Sequence, residues 1–339
     1  MLKKLILSRE RSADRGTAES VEMRLSWKTG WFWLALVLGA LLFATVAGFI
    51  GRLGWLADLL SHWRWHYLLA GGLLGGLFAL DRRWKLAGAA LAVAAVNGAL
   101  LLPPWLPAAV PAAGSAPAST MRVVFLNVWQ RNGETDAMLA FLAAEDPDVI
   151  VLAEFNRAIR PAMDALRARY PYTVRAGAGQ NTERIIYSRL PFLATEVLPD
   201  AERPAVLATV DVGGSLVTIM GAHPAPPVLP ARLQARNAQY DMLARVVRQQ
   251  AAPVLLVGDL NSSPWSPDFQ AFLRQAGLRN GRDGFGRQPT WPARLGPLGI
   301  PIDHALVTAG LTVRRFETGP GVGSDHLPIV VDVGVGIEN

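Results

Sequence analysis

The 339-residue chain has no cysteine, so neither a disulfide framework nor a thiolate metal site is available to it. Histidine is scarce, with five, and no lysine occurs after Lys85. Any resident metal must therefore draw mainly on carboxylate and amide oxygens, which favours magnesium or manganese over zinc. The second half also lacks net charge: residues 118 to 339 carry 21 Arg against 21 Asp plus Glu. The formal +6 sits in residues 1 to 117, with 12 Lys plus Arg against 6 Asp plus Glu. The pI near 10.0 is thus no sign of a basic globular face of the kind that nucleic acid recruits.

Charge is missing as well from Trp31 to Ile50, a run long enough to cross a bilayer at about 1.5 Å per residue. A cleaved signal peptide is the alternative, but the run is too long and no small-x-small site closes it. Two further apolar runs, Tyr67 to Leu80 and Leu86 to Leu102, complete an expected all-α membrane region of three transmembrane helices over residues 31–102. Trp31, Trp33, Trp63, Trp65, Trp84 and Trp105 fall near the expected span ends, where interfacial aromatics gather. Gly71 with Gly75, and Gly72 with Gly76, offer small-xxx-small spacings for close helix approach. The basic bias of residues 1–30 and of Arg82, Arg83 and Lys85 puts both in the cytoplasm. Three spans would then deliver the chain beyond residue 103 to the other, extracytoplasmic side of the membrane. Residues 103–119, rich in Pro and Ala, read as a linker.

From residue 120 to 335 the pattern changes to apolar runs that end in polar groups. The clearest is Pro253 to Pro264: a buried strand, then Gly258, Asp259 and Asn261, the last two on one side of the backbone if the strand continues. A plain Asp-Leu-Asn turn is the competing reading. Similar endings recur at Asn127, Glu154, Tyr187, His223, Asp303 with His304, and Ser324-Asp325-His326. A hairpin is expected across Gly213-Gly214, and helices over Glu134 to Ala144, Arg157 to Tyr170, Leu229 to Gln250 and near Pro267 to Ala276. On the third of these, Arg232, Arg236, Arg245 and Arg248 read as surface residues, able to form a local basic patch. Strands outnumber helices, which favours two sheets packed face to face with helices outside. A single doubly wound sheet is the competitor, and the helix-poor stretch 183 to 222 argues against it.

This ordered set of Asn127, Glu154, Tyr187-Ser-Arg189, His223, Gly258-Asp-Leu-Asn261, Ile302-Asp303 and Ser324-Asp-His326 resembles the endonuclease/exonuclease/phosphatase (DNase I-like) superfamily across the whole of residues 120–335. The resemblance implies an α/β fold, a four-layer αββα sandwich, and metal-dependent phosphoester hydrolysis. Carried over residue by residue, it makes Glu154 the ligand of Mg2+ or Mn2+, with Asn127 and Asp325 nearby. His326 becomes the general base oriented by Asp303, Asp259 positions the water, Asn261 holds a phosphate oxygen, and His223 stabilises developing charge. Tyr187 joins the catalytic set. Two positions depart from the family pattern: Trp129 stands where relatives carry an acid or amide, leaving Asn132 as a substitute, and His304 replaces an aromatic. His304 reads better as a strand core residue. Trp265, Trp291 and the loop from Arg279 to Arg294 are expected around the pocket. The implied function is that of a membrane-anchored phosphoesterase, acting on a phosphodiester or phosphomonoester such as a lipid head group. A nuclease and a catalytically inactive binding module are the alternatives.

Overall fold

The computed structural model describes residues 29–106, 117–155, 159–177, 183–199 and 203–337. The basic tail before residue 29 and most of the expected linker lie outside them. The chain divides into two compact units, Met1–Val46 with His66–Asn97, and Ala47–Trp65 with Gly98–Asn339.

The first unit is helical. Helix α1 spans Thr29–Leu53 and closes on a 3-10 turn that, like α2 (Trp55–Ser61), belongs to the second unit; α3 spans Arg64–Leu80 and α4 Trp84–Leu100. Within this unit Gly71 and Gly75 sit against α4, where an added Cβ at Gly71 would lie 2.9 Å from the Ala90 carbonyl oxygen. Gly72 and Gly76 face open space, so only one of the two glycine spacings is a packing face. The expectation of three transmembrane helices is corrected. Among the described residues, only α1, at 25 residues, is long and apolar enough to cross a membrane. Helices α3 and α4 have 17 residues each. At 1.5 Å per residue they fall short of the roughly 30 Å hydrocarbon layer.

The second unit contains α2 and everything after α4. Its strands in chain order are β1 Pro117–Asn127, β2 Val149–Phe155, β3 Tyr172–Ala176, β4 Glu183–Ser188, β5 Phe192–Leu198, β6 Ala205–Val212, β7 Ser215–Ala222, β8 Val254–Asp259, β9 Arg279–Asn280, β10 Asp303–Val307, β11 Leu311–Thr318 and β12 Ile329–Ile337. They form two six-stranded sheets, ordered β11-β12-β1-β2-β4-β3 and β5-β6-β7-β8-β10-β9. Helices α5 (Thr135–Glu145) and α6 (Arg160–Asp164) cover the first sheet, and α7 (Pro230–Gln249) and α8 (Pro267–Ala276) the second. The result is a mixed α/β sandwich of two sheets with helices on both outer faces. The hairpin across Gly213-Gly214 is present, and both glycines have the positive φ that such a turn requires.

Strand alternation sorts the core into layers. Val123 and Phe125 of β1, Val217 and Ile219 of β7, Leu255 and Val257 of β8, and Ala305 and Val307 of β10 all face the space between the sheets. Counting in twos along the same strands brings Asn127, His223, Asp259 and Asp303 to that inner face, at the strand ends where the apolar filling stops. The polar endings therefore converge on one mouth of the sandwich.

Gly258 is required at this mouth. It pairs with Ala222 across the parallel β7–β8 ladder, and an added Cβ would fall on the Ala222 carbonyl. Gly258→Ala is expected to cost about 1–3 kcal/mol, as overpacking does, in a chemical denaturation measurement.

Candidate active site

Glu154 breaks the inner-face rule. By strict alternation it would follow Ile150 and Leu152 towards the outer helices. The β2–β4 register shifts between Leu152 and Phe155, and Glu154 itself adopts φ 54°, so the bulge turns its carboxylate into the cleft and lets Phe155 take the outer position. Asn261 is similarly left-handed at φ 50° beyond the end of β8. Backbone strain of this kind is held in place only where the surroundings over-determine it.

The polar groups meet in a cleft of about 450 Å³. His326 Nδ1 lies 2.9 Å from Asp303 Oδ2, and the other ring nitrogen, Nε2, lies 3.7 Å from Asp259 Oδ2 and 3.4 Å from Asn127 Nδ2. The Asn127 amide donates to Asp259 Oδ2 at 3.0 Å and to Glu154 Oε1 at 3.3 Å. His223 Nε2 lies 3.3 Å from Asp259 Oδ2 and 3.7 Å from Glu154 Oε1. The loop carrying His326 is tied to β1, because Ser324 Oγ donates to the Asn127 carbonyl at 2.6 Å and accepts from the His326 amide at 3.0 Å. Asn261 donates its backbone amide to Asp259 Oδ1 at 2.9 Å and its side chain to the Pro224 carbonyl at 3.0 Å, bracing the Asp259 carboxylate and the loop after β7 together.

Burial sets the electrostatics. It lowers the proton affinity of His326, but Asp303 and Asp259 outweigh it and push the ring up to about 10. Burial raises Asp259, yet His326 and His223 beside it hold the carboxyl well below its ordinary range. Burial pushes His223 down; with Nε2 on Asp259, Nδ1 is the ring nitrogen left to accept from Arg203 Nη1, at 3.3 Å. Asp303 is pushed up by burial. Its own support comes from Thr290 Oγ1, which accepts the Asp303 amide at 3.2 Å, and from buried Arg282, which donates to the Asp303 carbonyl.

The donor set suits a hard divalent cation. Glu154 keeps 20% of its side chain exposed in the cleft, and its hydrogen-bond and ion-pair partners are Asn127 and His223. Asp325 shares the cleft; its Oδ2 accepts from Trp291 Nε1 at 3.2 Å, whereas the buried Oδ1 has no hydrogen-bond partner among the described residues. Asp259, Asp303 and His326 form a second group whose ligand atoms lie within 4.8 Å of one another. Asn127 presents its amide nitrogen to Glu154 and keeps its oxygen on the Trp129 amide, so ligation by Asn127 needs the side-chain amide turned over.

Other expected residues fall elsewhere. Tyr187 is a correction: it packs in the outer apolar layer with Leu152 and Met163, is not part of the cleft lining, and is pushed up to about 12 by burial. Alternation along β4 puts it opposite to Ile186, which faces the inner core. Asn132 is a turn residue, with its side chain on the Val322 carbonyl and the Glu134 amide. The His304 ring is tilted against Phe269 with centroids 4.4 Å apart, lies 2.7 Å from the Ser262 carbonyl, and is lowered to about 3 by burial. Trp291 lines the cleft, and Trp265 is buried outside its lining.

Sequence reasoning missed Arg203, Arg282, and the contribution of Leu59, His62 and Trp63, which line the cleft from the end of α2 and the turn after it. No local pattern marks any of them. Arg236, expected on the surface, is fully buried: it holds Asp58 at 2.7 and 3.2 Å and Asp268 at 2.8 Å. Ser266 Oγ also reaches Asp58, at 3.0 Å, and His62 Nδ1 lies 2.9 Å from Ser263 Oγ. The start of the expected linker is docked too, since the Pro104 carbonyl accepts the amides of Gly284 and Gly286.

A family model described as the Endonuclease/Exonuclease/phosphatase family matches residues 124–326, more than half of the chain. Among curated protein sequences, none matches. Several solved structures share the fold. An endonuclease/exonuclease/phosphatase from Beutenbergia cavernae is 21% identical with a TM-score of 0.52, covering 64% of this chain and 72% of its own. TDP2 from D. rerio, complexed with a single-strand DNA product, is 17% identical with a TM-score of 0.54, over 63% and 99%. The human Nocturnin catalytic domain with bound sulfate is 16% identical with a TM-score of 0.52, over 66% and 97%.

Proposed function

The chain belongs to the endonuclease/exonuclease/phosphatase family, and from that premise we propose that it is a phosphoesterase dependent on Mg2+ or Mn2+ and tethered to a membrane through Thr29–Leu53. The observation that carries the reading is the His326–Asp303 pair, with the free ring nitrogen turned towards Asp259 and Asn127 in the cleft. Asp303 holds the proton on Nδ1, so Nε2 is the atom that takes a proton from water, while Asp259 orients that water for attack on phosphorus. Arg203 and His223 supply positive charge and a donor for the phosphoryl oxygens, and Asn261 keeps the Asp259 carboxylate in its orientation. Glu154 and Asp325, with Asn127 turned over, would hold the cation. When bound, it would neutralise charge on the phosphoryl oxygens and offset the pull of the carboxylates on the His326 proton.

The basic tail and α1 together support a catalytic unit on the extracytoplasmic side of a bacterial inner membrane. The full chain in detergent is expected to hydrolyse bis(4-nitrophenyl) phosphate or 4-nitrophenyl phosphate with magnesium or manganese, to stop with chelator, and to recover when metal is restored. No metal-dependent turnover of any phosphoester would sink the reading. Plasmid DNA cleaved much faster than the small esters would replace it with a nuclease.

A further inference from the structure

We propose that the cleft takes an amphiphilic phosphoester, with the phosphate over Asp259, His223 and His326 and an apolar chain laid against Leu59 of α2, Trp63 of the turn after it, and Pro226, Pro227 and Val228 of the loop after β7. This rests on the phosphoesterase reading and adds the class of substrate to it.

Four observations carry the assignment. The cleft, at about 450 Å³, is far larger than a phosphate, and beyond its polar floor the walls are aliphatic, prolyl and indolyl side chains. Among the described residues, Arg203 is the one Arg or Lys in that lining. A polynucleotide, with a phosphate at every residue, recruits a track of cations, and this part of the chain carries none in excess.

The apolar wall is also fixed in place. Asp58, one residue before Leu59, is locked to Arg236 with both side chains fully buried, and His62 is seated on Ser263. A loosely tethered helix would not bury an ion pair, because desolvating two charges is repaid only by good geometry and further hydrogen bonds, here from Ser266 and Asp268. The turn after α2 is thus a structural part of the site.

The position of that wall in the chain is the fourth observation. It is the short segment between α1, the helix apolar and long enough to cross a membrane, and α3. Leu53 and Leu56 just before it, and Val228 and Leu229 in the loop after β7, expose large apolar side chains. A soluble head group would have no use for such surfaces. The chain of an amphiphile anchored in the same bilayer gains from each methylene it transfers onto them.

The test uses the full chain in lipid nanodiscs, with empty discs as the blank, and two matched diesters, methyl and hexyl 4-nitrophenyl phosphate. The expected kcat/KM is at least about tenfold higher for the hexyl ester, a modest part of what five further methylenes yield when wholly buried. Leu59→Ser with Val228→Ser is expected to bring that ratio below about threefold. Val228 is half-exposed, so Val228→Ser alone reports on the subsite even if the double variant misfolds. Equal rates for the two esters, or a preference untouched by the variants, would overturn the proposal while leaving the phosphoesterase in place. If neither ester is turned over, the catalytic reading fails instead, and binding of hexylphosphonate against methylphosphonate decides the subsite. A preference of about tenfold for hexyl supports it, and equal affinity removes it.

Discussion

Replacing His326 with alanine is expected to lower kcat about a thousandfold at saturating magnesium or manganese, the contribution typical of a positioned general base. His326 is buried, its Nδ1 is held 2.9 Å from Asp303 Oδ2, and its Nε2 faces the carboxylate that would orient the attacking water. Alanine removes the proton acceptor, and Asp259 is a poor substitute because its carboxyl, held well below the ordinary range by the imidazoles beside it, has little affinity for a proton. Asp303→Asn should cost a comparable part of the rate with little change in KM. An amide can present its NH2 to Nδ1 and so favour the tautomer that puts the proton on Nε2, the wrong nitrogen for accepting one. Rates measured on folded variants, with melting curves alongside, check both. A His326→Ala enzyme that retained more than about a tenth of the parental kcat would remove His326 from the role of base.

Arg236→Met is expected to have the largest effect on stability of any single change outside the cleft. The guanidinium lies at 0% exposure between Asp58 and Asp268, also buried, and donates to both. Burial raises Asp58, but His62 and Arg236 outweigh it and hold that carboxyl well below its usual range. Removing the cation leaves buried carboxylates uncompensated, which costs about 3–5 kcal/mol. The catalytic unit should then melt roughly 10 °C lower. Adding Asp58→Asn should return part of the loss, because the charge left unpaired is then gone, with a coupling of at least about 1 kcal/mol between the two sites. A shift below about 2 °C in the single variant would mean that α2 is not held by this pair. For the same reason a fragment beginning at residue 118 is expected to be less stable than the whole: it loses Asp58, His62 and the Pro104 carbonyl that receives Gly284 and Gly286.

Much of this site could be read before any coordinates. Asn127, His223, Asp259 and Asp303 each stand where an apolar run meets a polar group, which marked them as site candidates in the sequence, and the folded strands' period of two then carries all four to the face between the sheets. The cysteine-free, oxygen-rich composition pointed to a hard cation, and the neutral balance of 21 Arg against 21 acids argued against a duplex-binding face. The αββα layering followed from strands that are apolar on both faces. These are local properties, carried by neighbours in the sequence and by side-chain chemistry alone.

What the tertiary structure decided lies where distant segments meet or where the period breaks. Glu154 reaches the cleft only because a bulge reverses its face, and a bulge is chosen by the partner strand. Tyr187 left the site because β4 places it on the helix side, and a strand buried on both faces gives no pattern to say which side is which. Helices α3 and α4 looked like spans by composition but end about one turn too soon. Arg236 looked solvated because its partner Asp58 lies 178 residues away, beyond any spacing rule. The apolar wall from α2 and its adjoining turn has the same origin. A charge or a leucine states in sequence what it requires, a counter-charge or an apolar neighbour, but which residue supplies it is settled only when the chain is folded.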